Sequence, residues 1–250
     1  MIELYNEPCL ERLAKIADKS IDMVLTDPPY GTTACKWDSV IPFEPMWKEL
    51  NRIIKDNGAI CLFGSEPFSS LLRCSNLKMF KYDWIWNKNK ASSALNCNYQ
   101  PLKIHEIISV FSNASSTFSK KLTMSYFPQG TTPCNIINKR GSFISEQFHS
   151  SPNNYKNTQT KKNYPTSIIS YSRDVGIHPT QKPVSLCEYL IKTYTLENET
   201  VLDFTMGSGT TGVACVNTNR SFVGIEWCPP PDEPDKYFKI AKYRIMSLVK

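Results

Sequence analysis

An acid, two prolines and an aromatic ring stand together as Asp27, Pro28, Pro29 and Tyr30 in the stretch IDMVLTDPPYG. The apolar residues before them read as a buried strand, so the four fall just past its carboxyl end, where open α/β sheets hold their ligands. A rigid turn would explain the prolines but not the carboxylate and ring that accompany them. With proline near 5% of residues, a chance match to Asp, Asn or Ser followed by Pro-Pro-aromatic has a probability on the order of one in a hundred.

A second chemically suggestive stretch is TVLDFTMGSGTTGV at 200–213, an apolar strand ending in Asp203 and passing Phe204 and Met206 into glycines and then a helix. Gly207, Gly209 and Gly212 fit G-x-G-x-x-G, in which absent side chains let a ligand approach the backbone at the helix amino terminus. Glu226 closes the next strand, FVGIE, where an acid accepts from ribose hydroxyls. A P-loop is excluded because Val213 stands where its Lys is required, and no G-x-S-x-G nucleophile elbow occurs. A nucleotide-sized ligand over Gly207–Gly209 is the reading, with a dinucleotide still open. Only 38 residues follow Gly212, so most strands must come from upstream.

Zinc is not supported: the nine cysteines include no Cys-x-x-Cys pair, and His105, His149 and His178 are scattered. The cysteines read as reduced thiols and the metal expectation is none. With 41% hydrophobic and 21% charged residues in 250, the chain is expected to be globular, as one domain or one domain with an insertion. No apolar run approaches a membrane span, and MIELYNEPCLER carries acids where a signal peptide has bases, so a cytoplasmic location is expected.

The elements that must position these groups alternate between strand and helix. Strands are expected at 2–5, 22–26, 59–63, 82–86, 106–111, 200–204 and 222–225. Phe43, Met46, Trp47, Leu50, Ile53 and Ile54 recur at helical spacing with Gly58 as a stop, and Val184 to Tyr194 repeat the pattern behind Pro183. Tyr237, Ile240, Ala241, Ile245 and Leu248 mark a final helix. The expected class is α/β, a layered sheet with helices.

All of the chain's net charge of +6 lies between Ser112 and Ile177, where Lys120, Lys121, Lys139, Arg140, Lys156, Lys161, Lys162 and Arg173 face only Glu146 and Asp174. The rest of the chain has 21 basic and 21 acidic residues. The segment is dense in hydroxyl and amide side chains and interleaved with aromatics, a composition that suits a nucleic-acid surface and equally a long solvated loop.

Three stretches together resemble the S-adenosylmethionine-dependent DNA amino-methyltransferases of adenine N6 and cytosine N4. Asp27-Pro28-Pro29-Tyr30 matches the family's catalytic motif, its Asp form being similar to the adenine enzymes. His178-Pro179-Thr180-Gln181-Lys182-Pro183 matches a second stretch, and Asp203 with Gly207-Ser208-Gly209-Thr210-Thr211 a third. Their order, with a polar segment between, is similar to the β class, and the likeness covers most of the chain except about 112–177.

The resemblance implies a Rossmann-like methyltransferase fold: a mixed, mostly parallel sheet with helices on both faces. The catalytic domain would comprise 1–111 and 178–250, and a target-recognition insertion 112–177. It implies methyl transfer from S-adenosylmethionine to a flipped-out base in double-stranded DNA, with no metal and a homodimer allowed. An exocyclic amine is a poor nucleophile because its lone pair is delocalised into the ring. The Asp27 carboxylate and Pro28 carbonyl would therefore hold its two N–H bonds while Tyr30 stacks on the base. Asp203, Phe204 and Met206 to Gly209 would line the cofactor, Glu226 its ribose, and His178, Thr180 and Lys182 its methionine end, with Lys182 near the carboxylate.

The family's usual Pro-Phe after the motif's Asp is replaced by Phe204-Thr205, and its Gly-Asp-Cys near the amino terminus by Glu7-Pro8-Cys9. The Cys228–Pro234 loop is longer than usual. Cytosine N4 is the alternative target; an NAD-dependent dehydrogenase, a nucleotide-binding regulator and an RNA or protein methyltransferase are more distant ones.

Overall fold

The computed structural model describes residues 1–32, 38–92, 94–117, 121–139, 156–173, 181–227 and 235–249. The chain forms two compact units, one of Met1–Phe127 with Ser167–Lys250 and one of Pro128–Thr166. The second lies inside the stretch 112–177, whose flanking residues 112–127 and 167–173 fold with the first.

The order of elements is β1 (Ile2–Tyr5), α1 (Cys9–Leu13), β2 (Ile21–Thr26), α2 (Phe43–Ile53), β3 (Ile54–Gly64), α3 (Phe68–Ser75), β4 (Phe80–Ser92), β5 (Lys103–Phe111), β6 (Thr132–Lys139), β7 (Lys156–Lys162), β8 (Ile168–Ser170), α4 (Val184–Tyr194), β9 (Thr200–Asp203), α5 (Thr210–Asn217), β10 (Ser221–Ile225) and α6 (Lys236–Met246). Eight strands form one sheet in the order β1-β10-β9-β2-β3-β5-β4-β8. All neighbours run parallel except those of β5, which is antiparallel to both β3 and β4. The expected mixed, mostly parallel sheet is present.

Both faces of the sheet are covered, as the unbroken burial of β2 demands. Met23 and Leu25 point into one cluster with Leu186 and Leu190 of α4 and Ala241 and Ile245 of α6. Val24 points into the other, with Leu13 of α1, Met46 and Leu50 of α2 and Leu72 of α3. From β2 the chain proceeds to β3 on one side, while β9 lies on the other side. The carboxyl ends of β2 and β9 therefore border a topological switch point, the crevice where such sheets bind ligands. These ends carry Asp27 and Asp203.

One expectation is corrected. The helix over Phe43–Ile53 ends before Ile54, whose backbone is already extended (φ −71°, ψ 138°), and Gly58 is not its stop but a residue of β3. The β-branched Ile54 starts the strand by pairing with Ile21. Gly58 is needed inside it, because a Cβ there would lie 2.8 Å from the Asp22 carbonyl oxygen.

In the second unit β6 and β7 form an antiparallel ribbon, from Thr132↔Lys162 to Lys139↔Lys156. Its Lys161 and Lys162 are exposed. Among the described residues, no helix is long and apolar enough to cross a membrane, and no group of three or more His, Cys, Asp or Glu could hold a metal. The seven described cysteines are free thiols.

Candidate active site

The switch point opens into a cleft of about 540 Å³. Asp27, Pro28, Pro29 and Tyr30 line it from the end of β2; Asp203, Phe204, Met206, Gly207 and Ser208 line it from the end of β9, and Glu226 from the end of β10. Lys182 and Arg173 complete the expected part of its lining. Strand order, with the connection ahead of α4, brings these residues to one cavity, Lys182 and Asp27 from 155 positions apart in the chain. Lys121, Lys161 and Lys162 do not line it. His178, Thr180, Lys120 and Arg140 fall outside the described residues, and only the backbone is described for Lys139 and Lys156.

The Asp-Pro-Pro-Tyr turn is held from below by a residue that sequence reasoning missed. The carboxylate of Asp38 accepts the backbone N–H groups of Tyr30 (2.7 Å), Gly31 (2.9 Å) and Thr32 (2.9 Å). Three donors converging on one buried carboxylate set the path of the chain after the prolines, and hence the direction of the carbonyls before them. Nothing in the spacing of Asp38 announced this. The Tyr30 hydroxyl donates to Asp27, and its ring stacks on Phe68 at 5.0 Å between centroids. Burial raises the Tyr30 hydroxyl well above its ordinary pKa, and the Asp27 carboxylate raises it further, so it stays protonated and remains a donor.

A row of alternating charge runs into the cleft wall. Lys88 of β4 contacts Glu106 of β5 at 3.1 Å, Glu106 contacts Lys182 at 3.4 Å, and Lys182 contacts Asp27. Lys182, expected at the cofactor's carboxylate, thus places its ammonium on Asp27 and Glu106. Burial acts to raise the Glu106 carboxyl, but the ammoniums of Lys182 and Lys88 prevail and hold it below the usual carboxylate range. Burial acts to lower Lys182, and Asp27 and Glu106 prevail to raise it. Both therefore carry charge at neutral pH, which a buried ion can do only beside opposite partners. Lys88 and Glu106 also escaped sequence reasoning; a lysine only 5% exposed, opposed by an acid on the next strand, leaves a weak signal in apolar runs.

The catalytic turn and the glycine loop are tied together. Thr26 donates to Asp203 (3.1 Å) and accepts from the Phe204 N–H (3.2 Å). Thr205, which stands where the resembled family has Phe, donates its hydroxyl to the backbone carbonyl of Asp27 at 3.0 Å. Beyond it, Arg244 of α6 holds the Ser208 carbonyl (2.6 Å) and hydroxyl (3.0 Å). Gly209 has φ +81°, and a Cβ there would meet Ala241 Cβ at 2.9 Å, so the turn into α5 needs glycine both for conformation and for room.

The glycine loop leaves open space in this cavity. No atom lies within 4 Å of where a Gly207 Cβ would stand, leaving space above the loop. The half-buried Glu226 accepts the Gly207 N–H at 2.7 Å. Burial pushes its carboxyl up to about 7, against the pull of that N–H, and pushes Asp203 up to about 7 as well. Asp203, which is buried and already accepts from Thr26 and the Thr205 N–H, and the half-buried Glu226 are carboxyls held near neutrality at the cleft, able to accept hydrogen bonds from hydroxyl or amino donors of a ligand. Gln181 adds a buried amide oxygen without a hydrogen-bond partner among the described residues.

Known proteins place this geometry. The chain is 28% identical to the type II methyltransferase M.HpaI of Haemophilus parainfluenzae, over 95% of this chain and 72% of that protein. It is 26% identical to the DNA adenine methyltransferase YhdJ of Escherichia coli, over 89% and 77%. In fold it resembles the M1.HpyAVI–SAM complex, with a TM-score of 0.62 at 24% identity over 98% of this chain and 99% of that one. Residues 21–229 match the model of the N6/N4 methyltransferases, described as DNA methylase, and the chain belongs to that family.

Proposed function

We propose that this DNA methyltransferase carries the methyl group of S-adenosylmethionine to the exocyclic N6 of an adenine flipped out of a specific duplex sequence. The observation that carries the reading is the convergence on one cleft of the Asp27 carboxylate, the proline-directed turn clamped by Asp38, and the Glu226–Gly207 pair. The cofactor supplies an already activated sulfonium methyl, so what the protein must provide is alignment. Asp27 and the Pro28 carbonyl accept the two N–H bonds of the target amine and turn its lone pair toward the donor. Tyr30 offers an aromatic face to the base. Gly207, Asp203 and Glu226 hold the nucleoside end of the cofactor, and Gln181 faces the same cavity.

The adenine assignment draws on the Asp form of the motif and on the name of the relative YhdJ. Lys121, Lys161, Lys162 and Arg173, with the remaining bases of 112–177, are assigned to the DNA phosphates, in an enzyme that works in the cytoplasm as a monomer or homodimer. Mass spectrometry of nucleosides from DNA incubated with the protein and labelled S-adenosylmethionine tests the reading. Labelled N6-methyladenine supports it; labelled N4-methylcytosine moves the enzyme to the other branch of its family; no labelled nucleoside refutes it.

A further inference from the structure

The two strands that border the cleft do not end at the sheet. β3 pairs with β5 only from Gly64↔Ile107 to Ile60↔Phe111, whereas β4 and β5 remain paired at Asn87↔His105 and Ser92↔Lys103. Beyond Asn87, the last residue of β4 that β8 covers, they continue as a two-stranded ribbon. β4 is antiparallel to β5, which is antiparallel to β3, so β4 leaves in the direction of β2 and β3. The ribbon therefore projects from the same edge as Asp27 and Asp203. Its root is the cleft wall itself: Trp86 and Glu106 line the cavity, and Glu106 is bound to Lys182.

The composition of the ribbon is that of neither a core hairpin nor a solvated one. No acid occurs from Trp84 to His105; Lys88 there is buried on Glu106, leaving the exposed Lys90 and the half-buried Lys103 among Asn87, Asn89, Asn96, Asn98 and Gln100. At its end, around a 3-10 turn at Ala94–Asn96, Leu95 is 96% exposed and Tyr99 89% exposed. Bulky apolar side chains held fully in water at the tip of a basic finger indicate a partner that is anionic outside and apolar within. A stacked duplex answers that description, and a two-stranded ribbon is narrow enough for its groove. A symmetric contact with a second copy does not, because it would oppose one basic finger to another.

Building on the DNA reading above, we propose that the tip of this ribbon enters the duplex beside the target base, with Leu95 and Tyr99 wedged into the stack. Lys90 and the amide side chains would lie along the phosphates. An apolar wedge occupies the space that a flipped base vacates and keeps it from returning, which offsets the cost of unstacking.

The test is the double variant Leu95→Ala/Tyr99→Ala, assayed on the wild-type enzyme's own target sequence as a fully paired duplex and as the same duplex mismatched at the target base. Methyl transfer is read together with fluorescence of 2-aminopurine at the target position. The proposal expects kcat/KM on the paired duplex to fall by about tenfold to a hundredfold, with a loss of the fluorescence rise. On the mismatched duplex, where the base is already unstacked, activity should stay within about threefold of wild type. S-adenosylmethionine affinity should be unchanged, which also reports that the variant is folded. An equal loss on both duplexes, or none on either, overturns the wedge. So does a change in oligomeric state by sedimentation, which would assign the tip to a second copy. If the wild-type enzyme methylates no DNA at all, it is the DNA reading that falls.

Discussion

Glu226 joins cofactor binding to the stability of the empty protein, and replacing it with Gln should move the two in opposite directions. Its carboxyl, pushed by burial from an ordinary 4.5 to about 7, accepts the Gly207 N–H from a site within the cleft. Across pH 4.5 to 7 the native state holds a proton that the unfolded chain releases. Stability from this group is thus fully present below pH 4.5 and is lost as pH rises through 7. The shift corresponds to about 3 kcal/mol at pH 8. Binding has the opposite preference, since ribose hydroxyls donating to an ionised carboxylate contribute about 1.5 to 3 kcal/mol. Wild-type affinity for S-adenosylmethionine should therefore rise about tenfold from pH 6 to pH 8 as the carboxylate ionises. Glu226→Gln should bind about tenfold to a hundredfold more weakly at pH 8 and show a shallower slope, that of Asp203, also pushed up to about 7, remaining. Without cofactor its melting temperature should exceed that of wild type at pH 8 and match it at pH 4.5. Isothermal titration calorimetry and thermal melts read both quantities. A variant that keeps the wild-type slope, or melts below wild type at pH 8, refutes the reasoning.

Asp27→Ala should abolish methyl transfer while leaving S-adenosylmethionine affinity within a few fold, since it removes an acceptor for the target amine; near-normal turnover would remove Asp27 from the chemistry. Neutralising the exposed Lys161 and Lys162 together should weaken binding to all duplexes alike and reduce the slope of log affinity against log salt by about 0.9 for each phosphate that is no longer neutralised. An unchanged slope would make these two lysines bystanders. Gly212→Ala would put a Cβ 2.3 Å from Ile245 Cδ1 and 2.7 Å from Phe222 Cε1. Overpacking of that kind costs about 1–3 kcal/mol, a drop of several degrees in melting temperature, and a variant as stable as wild type would show that α6 yields there.

The parts of this molecule that could be read from sequence are those whose pattern is local. The strands around Val24, Ile60, Val110 and Val223 are apolar runs bounded by turns, and α4 starts behind Pro183 as its periodicity requires. The helices at Cys9–Leu13 and Phe68–Ser75 went unnoticed because five or eight residues hardly establish a period. β7, KNTQTKK, has no apolar residue, so its pairing with β6 left no hydrophobic trace. In the cleft, residues borne by motifs were legible and their supporters were not. Asp38 acts on Tyr30 through backbone N–H groups, and Glu106 acts on Lys182 across 76 positions of chain. Neither relation has a characteristic spacing: Asp38 reaches back within one irregular connection to bind backbone groups, and Glu106 meets Lys182 only through the fold.

The hydroxyl of Thr205 on the Asp27 carbonyl, with Thr26 on Asp203, stitches two loops that lie 178 residues apart in the chain. A sheet of eight twisted strands flexes, and loops at the ends of different strands would ordinarily drift with it independently. Here the acceptor turn and the glycine loop are tied to each other as well as to the paired strands that carry them, so flexing of the sheet should move both together. Alignment of donor and acceptor then rests on three side chains, Thr205, Thr26 and Asp203, rather than on the curvature of the scaffold that bears them.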